Sequence, residues 1–134
     1  MDIYMSSIGI IRTPYKTREE APRSWKENRE TEGEIIIDDK YVEGIASIEA
    51  GKEYYVLFYF HESKGYTLTV HSHRDGPLRS LFATRSPDRP NGIGLTIITV
   101  TEVKGNRIRF TGVDMLDGTP VLDIKPNHDV TNKG

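Results

Sequence analysis

No apolar run in this chain is longer than a β-strand. The longest, residues 54–60 (YYVLFYF), is aromatic and continuous, which predicts a strand buried on both faces. A second run carries Ile93, Leu95, Ile97 and Ile98 with Thr96 and Thr99, and its β-branched character also reads as a buried strand, over residues 92–103. Shorter segments of the same kind lie at 3–11, 34–37, 67–70, 79–84, 107–113 and within 116–124, separated by turn signals at Gly65-Tyr66, Gly105-Asn106 and Asp117-Gly118. Only residues 40–49 carry a weak helical pattern. Six to eight short strands with little helix predict a mainly β chain, a small β-barrel or closed sheet with few short helices. A doubly wound fold would alternate strands with helices, and it would place its glycine fingerprint between a strand and a helix. Here Gly92-Ile93-Gly94 heads a strand, so a nucleotide-like cofactor must be held in a non-Rossmann way.

Bulk properties narrow the class. A length of 134 residues suits one domain able to bury most of its apolar surface. The expectation is a single barrel domain over 1–134, with no extra C-terminal domain and a polar tail at 127–134 that frays. Cysteine is absent, which removes disulfides and thiolate metal sites. No apolar run approaches the roughly 20 residues of a membrane helix. The first residues lack a basic region followed by an apolar one, so the expected setting is cytoplasmic. The formal net charge of -2 does not mark a whole-domain nucleic-acid binder. Local charge differs: Arg12, Lys16, Arg18, Arg23, Lys26 and Arg29 outnumber Glu19, Glu20 and Glu27. A second basic set, Arg74, Arg79, Arg85 and Arg89, meets only Asp75 and Asp88. If folding brings the two sets together, an acidic protein presents a positive face; otherwise each is a solvated surface.

Three constellations can carry chemistry. His61 follows the aromatic strand, and His71 and His73 share one face of an extended segment. With Glu62 or Asp75 they could be metal ligands, but no fourth ligand stands at a telling spacing, and no metal is expected. Ser86 lies in R-S-P and not in a nucleophile elbow, and nothing specific supports a triad with His61 and Asp123. The loop from Arg85 through Ser86, Pro87, Asp88, Arg89 and Pro90 to Asn91 is more informative. Two guanidinium forks suit a carboxylate or phosphate, and two prolines hold them still. The competing reading is an Arg–Asp staple that braces a turn. Near the end, Asp117-Gly118 makes a tight turn, Pro120 stiffens the segment after it, and Asp123 and Lys125 fall on one side of an extended stretch. That pair is either an ion pair or a set of contacts for a polar cofactor.

Three separated blocks, IGIIRTPYKTREEAPR (8–23), LFATRSPDRPNGIGLT (81–96) and LDGTPVLDIKP (116–126), with VLFYFHE (56–62) between them, resemble the tRNA threonylcarbamoyladenosine N6-methyltransferase family. The match runs over nearly the whole chain. The resemblance implies a homodimeric, single-sheeted β-barrel that binds S-adenosylmethionine near the subunit interface. It implies methyl transfer to N6 of threonylcarbamoyladenosine, adenine 37 of the tRNA anticodon loop. Carried over residue by residue, the cofactor positions are Pro22, Arg23, Ser24, His61, Glu62, Arg85, Leu95, Asp117, Gly118, Thr119 and Pro120. Arg12, Arg89, Asn91, Asp123 and Lys125 are expected to shape the pocket or hold tRNA. Candidates for a proton acceptor are His61, Glu62 and Asp123, among which the sequence does not choose. The alternative is a barrel that binds S-adenosylmethionine or RNA but methylates a different substrate or none. Three departures stand out: Gly92 replaces the family's proline, Ser24 its glutamine, and Asn127 its common tyrosine.

Overall fold

The computed structural model describes residues 1–17, 31–71 and 76–128. Eight strands form: β1 (Gly9–Arg12), β2 (Glu32–Ile37), β3 (Glu53–Tyr59), β4 (Thr69–His71), β5 (Leu78–Ser80), β6 (Ile93–Lys104), β7 (Arg107–Thr111) and β8 (Pro120–Pro126). Six close a barrel in the order β1-β2-β7-β6-β3-β8, with β8 returning to β1 and every pair antiparallel. β4 and β5 make a separate two-stranded hairpin. Among the described residues there are also two 3₁₀ segments, Asp39–Ile45 and Leu81–Ala83.

Barrel closure corrects the expectation that β3 is buried on both faces. In a barrel only every second residue points inward. Tyr54, Val56 and Phe58 fill the interior, whereas Tyr55 and Leu57 are half-buried and Tyr59 is exposed. The same alternation governs β6: Thr96, Ile98 and Val100 face in, while Ile93 and Leu95 are 38% and 43% exposed. The apolar letters that read as burial therefore include an outer strip. Inside, Ile11, Ile35, Ile37, Ile108, Phe110 and Val121 complete a continuous core. Val113 and Met115, between β7 and β8, are buried at one end, and Ile45 is buried at the other.

Four local expectations change. The strand expected from residue 3 begins at Gly9, because Ile3, Tyr4 and Met5 stand exposed with nothing to pack on. The segment 40–49 winds as i→i+3 turns, with Tyr41 N–H donating to Asp38 O and Ile48 N–H to Ile45 O. It is short, contains Gly44 and Val42, and has no long apolar face to offset the cost of ordering a full helix. The strand expected at 79–84 stops at Ser80, where Leu81 is buried outside the main core cluster and Thr84 Oγ1 donates to its carbonyl at 2.8 Å. Asn127 does not fray. It is fully buried, with its N–H donating to Glu53 O at 3.2 Å and its Nδ2 to Glu53 Oε1 at 3.3 Å.

Alternating strand direction decides where function can sit. The connections 13–31, 60–92 and 112–119 all emerge at one end of the barrel, whereas 38–52 and the Gly105-Asn106 turn lie at the other. The sequence blocks 8–23, 81–96 and 116–126 supply much of those three connections.

The two glycines of Asn91-Gly92-Ile93-Gly94 have different reasons to be there. A Cβ at Gly94 would collide with the Phe58 ring inside the barrel. At Gly92 the nearest atoms to such a Cβ are Tyr59 Cε1 at 3.4 Å and Phe60 Cβ at 3.5 Å, ordinary contacts. Ile93 N–H donates to Asn91 O at 2.7 Å across Gly92, whose φ is not left-handed, so the bend is an inverse γ-turn open to other residues. Gly94→Ala is expected to cost about 1–3 kcal/mol through overpacking. Gly92→Ala is expected to gain up to about 1 kcal/mol by restricting the unfolded chain. Urea unfolding midpoints of the two variants should move in opposite directions.

Candidate cofactor and RNA site at the barrel rim

The filled interior leaves no room for a ligand, so a site must be built from the rim loops and the outer surface. The first and third loops are stitched together by backbone. Ile11 N–H donates to Thr119 O at 2.8 Å, Gly118 N–H to Ile11 O at 2.8 Å and Asp117 N–H to Tyr15 O at 2.7 Å. Gly118, at φ 85°, makes the turn that a residue with Cβ would strain. Thr13 Oγ1 donates to Met115 O at 2.9 Å. Thr119 is buried and its Oγ1 donates to Leu116 O at 2.6 Å, so its side chain serves the turn.

Asp117 is the electrostatic knot of this junction. Its Oδ1 accepts from Thr13 N–H at 3.0 Å, its Oδ2 from Lys16 Nζ at 2.8 Å, and Arg12 Nη1 stands 3.6 Å away. The Lys16 hydrogen bond, with the Thr13 N–H and the charges of Lys16 and Arg12, outweighs partial burial and holds the carboxyl below its ordinary pKa. Arg12 and Asp117, assigned to tRNA and cofactor by resemblance, thus meet each other in this structure. A cleft of about 580 Å³ opens beside them, lined by Lys16, Glu34 and Arg109 among others.

The second loop separates two arginines that looked alike in sequence. Arg89 Nη1 donates to Thr84 O at 2.8 Å and Ser86 O at 3.0 Å, gripping the loop from within. Asp88 Oδ1 accepts from Lys64 N–H at 3.3 Å, tying the loop to the chain after β3. The bracing role foreseen for an Arg–Asp staple is therefore carried in part by an arginine on carbonyls. Arg85 instead lies exposed over β6, its Nη1 donating to Leu95 O at 3.0 Å. That carbonyl is available for a reason. Phe60 N–H donates to Gly92 O, so by alternation the Leu57–Leu95 pair is a non-hydrogen-bonded one, and its carbonyls turn away from each other's strand.

His61 and Glu62 stand where β3 reaches the rim, with His61 Nε2 3.7 Å from Glu62 Oε2. Asn91 sits beside them, since Gly92 pairs with Phe60. Asp123 and Lys125 are placed elsewhere. They lie opposite Leu57 and Tyr55 on the outer face of β8, paired to each other at 3.0 Å. Four residues of strand, about 13 Å, separate the Leu57 row from His61. Of the three proton-acceptor candidates, His61 and Glu62 stand at the strand end, and Asp123 lies level with Leu57 and Leu95. Pro22, Arg23 and Ser24 lie outside the described residues, as do Arg18, Lys26, Arg29, His73, Arg74 and Asp75; among the described residues, Arg12, Lys16, Arg79, Arg85 and Arg89 of the two basic sets stand on or beside connections at the same end of the barrel. His71 Nδ1 is 2.9 Å from Gly76 O. Among the described residues no group of three or more His, Asp or Glu is arranged to hold a metal.

Thr13 carries no individual signal in the sequence, and Lys16 reads there only as one of a basic set; the spacing T-P-Y-K ahead of a distant D-G turn is the one pattern that links them to Asp117. Asp117→Asn tests the knot. A carboxyl whose pKa is lowered by folding adds stability above its unfolded value and loses it as pH falls. The variant should be about 1–2 kcal/mol less stable than the parent near pH 7. That difference should shrink toward zero as the pH drops below about 4. Urea unfolding at a series of pH values checks both the size and the sign.

Comparison with known proteins follows the same blocks. The model of the tRNA-methyltransferase O N-terminal domain matches residues 10–131. An S-adenosyl-L-methionine-binding protein of Archaeoglobus fulgidus is 36% identical over 132 residues, covering 96% of this chain and 94% of that protein. A probable S-adenosyl-L-methionine-binding protein of Pyrococcus abyssi is 38% identical over 119 residues, covering 89% of this chain and 65% of its own length. The tRNA (adenine(37)-N6)-methyltransferase of Escherichia coli is 35% identical over 129 residues, and the match takes in 55% of that enzyme. The crystal structure of TrmO from Pseudomonas aeruginosa superposes with a TM-score of 0.78 at 29% identity, over all of this chain and 60% of that one. The chain thus spans little more than half of the E. coli enzyme and nearly all of the A. fulgidus protein. A family model that fits from Ile10 to residue 131, on a closed barrel whose rim loops carry its motifs, means that this chain belongs to the tRNA-methyltransferase O family.

Proposed function

We propose that this protein is an S-adenosylmethionine-dependent tRNA methyltransferase that methylates N6 of threonylcarbamoyladenosine at position 37. The observation that carries this reading is the convergence of three motif-bearing loops on one rim of a filled barrel, beside an exposed apolar strip. Matches to S-adenosyl-L-methionine-binding proteins and to a tRNA (adenine(37)-N6)-methyltransferase support it. Its setting, as for any tRNA-modifying enzyme of this kind, is the cytoplasm.

The rim fits the cofactor chemically. A zwitterionic amino-acid end asks for a cation, and Arg85 is exposed with only one guanidinium nitrogen on Leu95 O. An adenine asks for an apolar wall and backbone partners, which Leu95 and the Leu116–Pro120 turn offer. β6, which carries Leu95, and β8, into which the turn leads, lie two strand spacings apart, about 10 Å, with β3 between them. Pro22, Arg23 and Ser24 join this set on the resemblance alone. Bound there, S-adenosylmethionine supplies a methyl group already activated on a sulfonium. The chain then has to orient the acceptor nitrogen in line and take its proton. His61 is the proposed proton acceptor, with the Glu62 carboxylate 3.7 Å away to steady the charge it gains. Asp123, paired with Lys125, lies in the same cross-strand row as Leu95 and stays the alternative acceptor.

The protein is proposed to act as a homodimer. Ile93, Leu95 and Tyr59 expose an apolar strip on the outer face of β6 and β3, continuous with the cofactor residues. A second copy of the same strip is the partner that satisfies it, and this places the cofactor near the subunit contact.

Two measurements separate the roles. By calorimetry, Arg85→Ala should weaken S-adenosylmethionine binding on the order of 10- to 100-fold, the worth of a charge-assisted contact. His61→Gln, measured at saturating cofactor, should slow methyl transfer to threonylcarbamoyl-modified tRNA by about 10²- to 10⁴-fold. A parent protein that fails to bind S-adenosylmethionine sinks the enzyme reading; one that binds it but methylates no such tRNA points to another substrate. Ile93→Glu should shift sedimentation from dimer to monomer, and an unchanged dimer would place the contact elsewhere.

A further inference from the structure

Phe82 takes no part in the cofactor site, yet among the described residues its ring is the most openly displayed aromatic group at the rim. It is 71% exposed, although its neighbour Leu81 is buried to 1% and anchors the 3₁₀ turn that carries both. Leu81 N–H donates to Leu68 O at 2.9 Å, and Thr84 closes the turn through Leu81 O, so the backbone beneath Phe82 is fixed. One side of the ring is backed by the Arg89 guanidinium, 5.9 Å from its centroid. That guanidinium is itself held on Thr84 O and Ser86 O. Arg85, the cation proposed for the cofactor, lies three residues away.

We propose that Phe82 is a stacking platform for an unpaired nucleobase of the RNA loop that carries the target adenosine. This rests on the tRNA reading of the rim and deepens it. Proteins read single-stranded RNA loops by stacking splayed bases on aromatic rings and guanidinium planes. A ring pinned from behind by a cation, with Arg79 and Arg85 nearby in sequence, is matched to a π-face beside phosphates. An apolar protein partner would have to bury that guanidinium instead. The stacked base contributes no ion pair, which gives the proposal a signature distinct from a phosphate contact.

The test is binding of an anticodon stem-loop RNA to the full chain, measured against salt concentration, with calorimetry for S-adenosylmethionine alongside. Phe82→Ala should weaken stem-loop binding on the order of 10- to 100-fold. The salt slope and the cofactor affinity should stay as in the parent. Phe82→Trp should keep parental binding, because it preserves a π-face. The proposal is overturned if Phe82→Ala binds the stem-loop as tightly as the parent. It is overturned equally if that variant loses cofactor affinity in the same proportion, or if its sedimentation shows a broken dimer, which would make Phe82 a subunit contact. A parent protein that binds cofactor but not the stem-loop refutes the tRNA reading itself, before Phe82 is at issue.

Discussion

Six short antiparallel strands closed on themselves enclose a space just wide enough for side chains, and here that space is taken by aromatic rings. Phe58 lies where Gly94 has no Cβ, and Phe110 lies over Gly33, where an added Cβ would come within 2.8 Å of its ring. The interior is thereby a packed core and cannot be a ligand cavity. Every binding function is pushed to the ends and the outer surface. Because consecutive strands alternate in direction, three of the five connections between barrel strands fall at one end, and those are the ones rich in Arg, Asp, Pro and Gly. The location of the proposed site thus follows from the way the core is filled.

Within the rim, charge is divided between holding the site and serving it. Lys16 and Thr13 converge on Asp117, and Arg89 spans two carbonyls of its own loop. Hydrogen bonds to charged groups are worth about 1.5–3 kcal/mol each, enough to keep short loops in one geometry. Arg85 is left with most of its guanidinium toward solvent, and His61 with a side chain at the end of a rigid strand. Such an arrangement favours a site formed before ligand arrives, with little ordering left for the moment of binding. Phe82 shares in this division of labour: Arg89 steadies a loop and backs a ring at once.

The barrel, its strand count and the three motif blocks were legible in the sequence because turn chemistry and β-branched runs are local signals. The features that were not legible depend on closure. YYVLFYF reads as uniformly apolar, and only the pairing of β3 with β6 and β8 decides that Tyr55, Leu57 and Tyr59 face outward. The same holds for Ile93 and Leu95, whose exposure turns an apparent core strand into a candidate interface. The equivalence of Arg85 and Arg89 in T-R-S-P-D-R-P dissolves once the loop curls enough for Arg89 to reach Thr84 O. Asp123 reads in sequence as one acid among three, and only register shows that it lies opposite Leu57, in the row of Leu95, while His61 and Glu62 stand at the strand end. Asn127 looked like the start of a tail, and a backbone bond across to Glu53 makes it part of the fold.

Binding of ligand at one rim of a filled barrel is tested most directly by amide chemical shifts on titration with S-adenosylmethionine. Shifts are expected to centre on His61, Arg85, Leu95 and Gly118, with amides of the barrel interior nearly still. The opposite end provides the contrast: a groove of about 670 Å³ lined by Tyr41, Ile45, Ile48, Lys52 and Tyr54. Shifts centred on that groove, with the rim amides unmoved, would contradict a rim site.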